Sequence, residues 1–262
     1  MNFISTIDPL YSISGFVVGA LVGMTGVGGG SLMTPLLILM FGIHPATAVG
    51  TDLLYASATK TVGTAVHGVS RTVDWRLVGQ LAMGSVPMTA LTLSMLSLLG
   101  TQTTTVNTLI TFVLALALFA TAVVLIFRRR IIERYSERLR RVTARQTRMM
   151  TIAMGALLGV LVSISSVGAG AIGVTALILL YPHFPMARIV GSDIAHAVPL
   201  TLLAGIGHWM LGLTDLGLLS SLLVGSIPGI IIGSYAAPRI PDPALRYILA
   251  GTLVLVGGRL VF

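Results

Sequence analysis

The sequence predicts an all-α polytopic membrane protein with two homologous halves in an inverted repeat, each half a glycine-rich broken helical hairpin plus three spanning helices. Three observations predict it. Of 262 residues, 55% are hydrophobic and only 9% charged, whereas a soluble domain carries about 25% charged residues. The stretches from Pro9 to Thr51 and from Met149 to Ala187 contain no Asp, Glu, Lys or Arg. The second half of the chain also repeats the rhythm of the first.

The first stretch, if one helix, would reach roughly 65 Å, about twice the hydrocarbon thickness of a bilayer. It must fold back on itself, which gives Leu10 to Val27 and Leu32 to Phe41 as the arms of a hairpin broken at Gly26-Val27-Gly28-Gly29-Gly30-Ser31. Ala46 to Val66, Leu77 to Leu99 and Val106 to Phe127 follow as apolar runs bounded by charges, Gly or Pro. The opening residues lack a basic n-region and run into further apolar sequence, so no cleaved signal peptide is expected and Met1 begins the mature chain.

Nine of the sixteen basic residues are arginines between Arg128 and Arg148. A basic connection between apolar blocks is what the positive-inside rule expects of a cytoplasmic loop, so the formal charge of +8 is a topology and lipid-headgroup signal, not a nucleic-acid one. The chain then divides into a first transmembrane repeat (1–127), an Arg-rich cytoplasmic loop (128–148) and a second transmembrane repeat (149–262).

The second repeat offers Thr151 to Ser166, Ile172 to Tyr181, Val190 to Leu211, Leu216 to Ala236 and Leu245 to Phe262. An offset of 141 superposes Gly50 on Gly191, Asp52 on Asp193, His67 on His208, Asp74 on Asp215, Gly84 on Gly225, Ser85 on Ser226 and Pro87 on Pro228. An offset of 140 pairs Val27-Gly28 with Val167-Gly168 and Pro45 with Pro185. Duplicated halves are typical of secondary transporters. With three crossings per half, Arg71, Arg76, Arg188 and Arg239 share a side with the arginine loop and Asp215 lies opposite, as the charge bias requires.

Four groups of residues are candidates for chemistry. Gly28, Gly29, Gly30 and Ser31, with Gly168 and Gly170 in the second half, would break the hairpins and free N–H groups at the starts of two short helices. Facing helix N-termini attract anions without a fixed cation; the alternative use of such glycines is close helix crossing. Thr51 and Ser192 can offer hydroxyls to an oxyanion, while Asp52 and Asp193 can carry a coupling proton or serve as first-turn carboxylates favoured by the helix dipole. Lys60, the only lysine, is an intramembrane cation eight residues beyond Asp52 and roughly on the same helical face, a substrate counter-charge, a partner of Asp52 or a side chain snorkelling to an interface. His196, three residues after Asp193, completes the coupling set, whereas His67 and His208 are read as caps of helix ends.

Cysteine is absent, which removes disulfide and thiolate chemistry. Histidines and acids do not cluster at metal-ligand spacing, no Ser-His or His-Glu-x-x-His motif supports catalysis, and no nucleotide loop is present. No catalytic residue, metal or cofactor is expected, and the partners are a small anion and membrane lipid; assembly of identical copies is compatible with the sequence.

Gly26-Val-Gly-Gly-Gly-Ser-Leu followed by Pro35 and Leu36, then Ala48-Val-Gly-Thr-Asp-Leu53, weakly repeated after the basic segment, resembles the TauE/SafE family of sulfite exporters and anion permeases over essentially the whole chain. The resemblance implies a carrier with two homologous halves in the bacterial inner membrane for sulfite, sulfoacetate or another small sulfur-containing or organic anion; the duplication and the paired Pro87 and Pro228 suggest that it works by alternating access. Members commonly show Gly-Thr-Ser where this chain has Gly50-Thr51-Asp52. An anion channel and an intramembrane enzyme are the alternative classes; the channel would differ in flux that neither saturates nor responds to a proton gradient.

Overall fold

The computed structural model describes residues 7–25, 30–69, 72–100, 103–139, 142–236, 250–251, 253–255 and 257–259. Among the described residues the chain is helical throughout: α1 Pro9–Thr25, α2 Gly30–Phe41, α3 Pro45–Val69, α4 Trp75–Leu99, α5 Thr104–Leu139, α6 Ala144–Ser165, α7 Ala171–Leu180, α8 Met186–Met210 and α9 Leu216–Ala236. The expected last segment, Leu245 to Phe262, is described only in pieces, and these are helical.

Local chemistry sets these boundaries. Asp74 caps α4 by accepting from the N–H groups of Arg76 and Leu77, and Thr143 with Gln146 forms a capping box at α6. Both satisfy donors that a helix start leaves open. At its other end α6 stops on Ser166, which holds a left-handed φ of 59°.

Among the described residues five helices, within α4, α5, α6, α8 and α9, are long and apolar enough to cross a membrane. The protein is a multi-pass membrane protein. The twelve residues of α2 and ten of α7 reach only about 18 and 15 Å, too short for a hydrocarbon core of about 30 Å. α3 is long enough, with 25 residues, but carries Asp52, Lys60 and many hydroxyls; it lies inside the helical assembly, packed on α8, α9 and α2. Large apolar side chains on the outer faces, among them Phe112, Leu116 and Val123 of α5, face where lipid would lie. Trp75 at the start of α4 and Trp209 at the end of α8 are both exposed, in keeping with interfacial aromatic belts.

The segment expected as an Arg-rich loop over 128–148 is largely helical, because α5 continues to Leu139 and α6 begins at Ala144. Arg, Glu and Leu are good helix formers, and Arg129 pairs with Glu133 one turn on at 2.8 Å. Arg128, Arg129, Arg130, Arg134, Arg145 and Arg148 therefore sit on helix extensions.

Contacts between helices recur at equivalent positions. Gly15 packs on the carbonyl of Leu222, and Gly155 on that of Leu81; Gly19 packs on Ser226, and Gly159 on Ser85; Gly225 packs on Ser12, and Gly84 on Ile152. Each second contact is the first moved by 140 or 141 residues. In both cases, α1 on α9 and α6 on α4, the contacts advance together along the two helices, which therefore run parallel. α3 and α8 instead run antiparallel, since Gly50 meets His208 and Leu213 whereas Gly205 meets Leu54.

Candidate functional site

α3 and α8 carry the equivalent carboxylates to the interior, where Asp52 and Asp193 are 0% and 1% exposed. The short helix α2 supplies a partner: the Thr34 hydroxyl donates to Asp52 Oδ2 at 2.5 Å. The other oxygen, Oδ1, accepts no hydrogen bond among the described residues. The Ser166 hydroxyl, at the break between α6 and α7, lies near the same carboxyl without closing a bond of normal geometry.

Asp193 has a different neighbour. The short helix α7 presents Gly173 to it, so closely that a Cβ there would overlap Asp193 Oδ1, and that oxygen too has no hydrogen-bond partner among the described residues. Lys60, 6% exposed on α3, is within electrostatic range of both carboxylates but closes no direct ion pair with either among the described residues. The result is a buried centre holding one amine, two carboxyls and carboxyl oxygens without a hydrogen-bond partner among the described residues, an arrangement that is costly unless something neutralises or occupies it.

His196, fully buried on α8, is hydrogen-bonded to Ser85 of α4 across 2.9 Å between Nε2 and Oγ, and its Nδ1 is unpartnered among the described residues. At the equivalent positions Tyr55 of α3 stands beside Ser226 of α9, the imidazole being replaced by a phenol. His208 is also fully buried. Its Nε2 donates to the Ser163 carbonyl at 2.8 Å, which satisfies an acceptor in the last turn of α6. His208 thus caps a neighbouring helix instead of its own. The side chain of His67 lies outside the described residues.

The hydroxyls of Thr51 and Ser192 join the two halves. The backbone N–H of Asp215 donates to Thr51 Oγ at 3.0 Å and that of Asp74 donates to Ser192 Oγ at 2.8 Å. Ser192 further donates to its own helix at Arg188. These are again one contact and its image at an offset of 141.

Of the glycine candidates, Gly28 and Gly29 lie outside the described residues, and Gly30 begins α2. Ser31 is buried in the first turn of that helix. Gly168 and Gly170 take φ of 121° and 119°, conformations open to glycine and strained for other residues, and α7 starts at Gly170 without a side-chain cap. The sequence did not single out Thr34, Gly173, Ser166 or Ser85 as site residues. Ser85 stands among the positions aligned between the halves and Ser166 directly precedes the aligned Val167-Gly168, whereas Thr34 and Gly173 become visible only when a short helix docks against a carboxylate. Among the described residues no group of three His, Cys, Asp or Glu is placed to hold a metal.

The profile of the family described as "Sulfite exporter TauE/SafE" matches residues 11–260. The chain is 38% identical over 253 residues to the "Probable membrane transporter protein YjnA" of Bacillus subtilis (strain 168), covering 95% of this chain and 98% of that one. It is 24% identical over 249 residues to YdhB of the same strain, covering 94% and 97%. A "Probable membrane transporter protein" of Xylella fastidiosa (strain 9a5c) is 27% identical over 227 residues, 86% of this chain and 83% of the relative. No solved structure matches the chain.

Proposed function

Because this chain belongs to the sulfite exporter TauE/SafE family of membrane transporters, we propose that it is a secondary carrier of a small anion, sulfite or an organosulfonate, working by alternating access with proton coupling through Asp52 and Asp193. The observation that carries this reading is the buried centre between α3 and α8, where Lys60 sits within electrostatic range of two carboxyls that each leave an oxygen unpartnered among the described residues.

In this reading Lys60 is the counter-charge for the anion. The uncapped start of α7 at Gly170, with its counterpart in the start of α2 at Gly30 and Ser31, offers N–H groups of a helix N-terminus. An ionised carboxylate would repel the anion, and a proton on Asp193 or Asp52 removes that repulsion, so proton and anion enter the centre together. His196 and its partner Ser85 extend the proton path. Thr51 and Ser192 act as joints between the halves.

The halves, 1–127 and 149–262, are read as an inverted repeat. Reciprocal contacts between equivalent residues are what a twofold axis produces, and the antiparallel run of the equivalent helices α3 and α8 supports an axis lying across the helix direction. Prolines at equivalent positions, Pro87 in α4 and Pro228 in α9, would serve as hinges.

Flux of radiolabelled sulfite, sulfate, thiosulfate and small sulfonates into proteoliposomes, with and without an imposed pH gradient, tests the proposal. The expected result is saturable, gradient-dependent flux of one of them that is lost in Asp193→Asn. Flux that rises linearly with concentration and ignores the gradient would make the protein a channel, and no flux of any would remove the sulfur anions as cargo.

A further inference from the structure

At the end of the molecule where α4, α6 and α8 begin and α7 ends, a cleft of about 650 Å³ is lined by Asp74, Arg76, Gln80, Arg148, Tyr181 and Arg188, among others. Arg188 is held in place twice: it pairs with Asp74 at 2.6 Å and lies over the Phe184 ring at 4.5 Å. Arg76 and Arg148 close no ion pair among the described residues. One carboxylate thus faces three guanidinium groups.

The equivalent positions at the opposite end carry a different charge pattern. Asp74 corresponds to Asp215, but Arg76 corresponds to Gly217, Gln80 to Ser221 and Arg188 to Thr47 at an offset of 141, and Arg148 corresponds to Asp8 at an offset of 140. Asp8 does stand at that end, its N–H donating to Ser221 Oγ at 3.1 Å, as Arg148 shares the first cleft with Gln80. One mouth therefore has three arginines and one acid, and its counterpart has two acids and no cation at these positions.

We infer that the Arg76–Arg148–Arg188 cleft is an anion-capture site at one mouth of the transport path, which makes the protein's apparent affinity for its anion higher on that face than on the other. The inference rests on the carrier reading above. A cleft lined by one sign of charge concentrates counter-ions before they enter, and guanidinium groups match oxyanions with paired donors. The bound anion competes with Asp74 for Arg188, while Arg76 and Arg148 supply the uncommitted charge. With the arginine-rich ends of α5 and α6 on the same side, the positive-inside rule makes this the cytoplasmic face.

Sulfite flux measured in inverted and in right-side-out membrane vesicles containing the full chain reads KM at each face separately. The expected result is a KM about tenfold lower at the arginine face, within the range of electrostatic focusing, raised several-fold there by Arg148→Gln and by Arg76→Gln with kcat unchanged. Asp8→Asn, which keeps an oxygen to accept from Leu10 as Asp8 does, should lower KM at the other face alone. The Arg148→Gln effect should persist in phosphatidylcholine proteoliposomes; its loss there would mean that the arginines hold an anionic lipid headgroup instead. Equal KM at both faces, unmoved by these substitutions, would overturn the inference while leaving a working carrier, whereas absence of sulfite flux in the unsubstituted protein would count against the carrier reading itself.

Discussion

Gly173 stands against Asp193 so tightly that the smallest side chain at 173 would occupy the place of the carboxylate oxygen Oδ1. Gly173→Ala should therefore move either α7 or the carboxylate. Overpacking of this kind costs about 1–3 kcal/mol. The expected outcome is at least a tenfold loss of anion flux with a modestly lowered melting temperature in detergent; full flux would show that Asp193 does not work from its present position.

Thr34→Val removes the only hydroxyl that closes a hydrogen bond to Asp52 among the described residues, leaving the side chain almost unchanged in size. Thr34→Ser keeps the hydroxyl. Flux should fall severalfold in the valine variant and stay near normal in the serine variant. Equal activity of the two would remove Thr34 from the site.

Lys60 lies in the field of both carboxyls, so its effect on stability should depend on theirs. Lys60→Met should destabilise, because it strips two buried acids of their shared counter-charge, and the Lys60→Met/Asp193→Asn pair should be less destabilised than the sum of the single variants. A coupling of about 0.5–3 kcal/mol is typical for interacting residues. Thermal unfolding of the four proteins in detergent checks it, and strict additivity would place Lys60 outside the centre.

Equivalent glycines should behave alike and differ from a glycine that packs on nothing. Gly84→Ala would drive a methyl into the Ile152 carbonyl and Gly225→Ala into that of Ser12, whereas nothing lies within 4 Å of a Cβ at Gly79. The first two should each lower stability. Gly79→Ala should be neutral or raise it by up to about 1 kcal/mol through helix propensity. Melting temperatures of the three variants decide the matter.

The membrane class, most of the helix positions and the pairing of Asp52 with Asp193 could be read in the sequence, because each is a local property. Uncharged runs fix where helices can cross, and the offset of 141 marks Asp52 and Asp193 as a pair before any contact is known. Short uncharged runs announce the helices α2 and α7 in the same way. Only the tertiary structure decided what those short helices touch, Thr34 on Asp52 and bare Gly173 on Asp193, and that Ser85 of the long helix α4 meets His196 of α8. It also showed Thr51 and Ser192 accepting from Asp215 and Asp74 across the two halves, where the sequence suggested hydroxyls aimed at an anion. Hydrogen bonds between residues more than a hundred positions apart leave no periodicity and no spacing to read, since they depend on how helices cross and not on the order in which residues are strung.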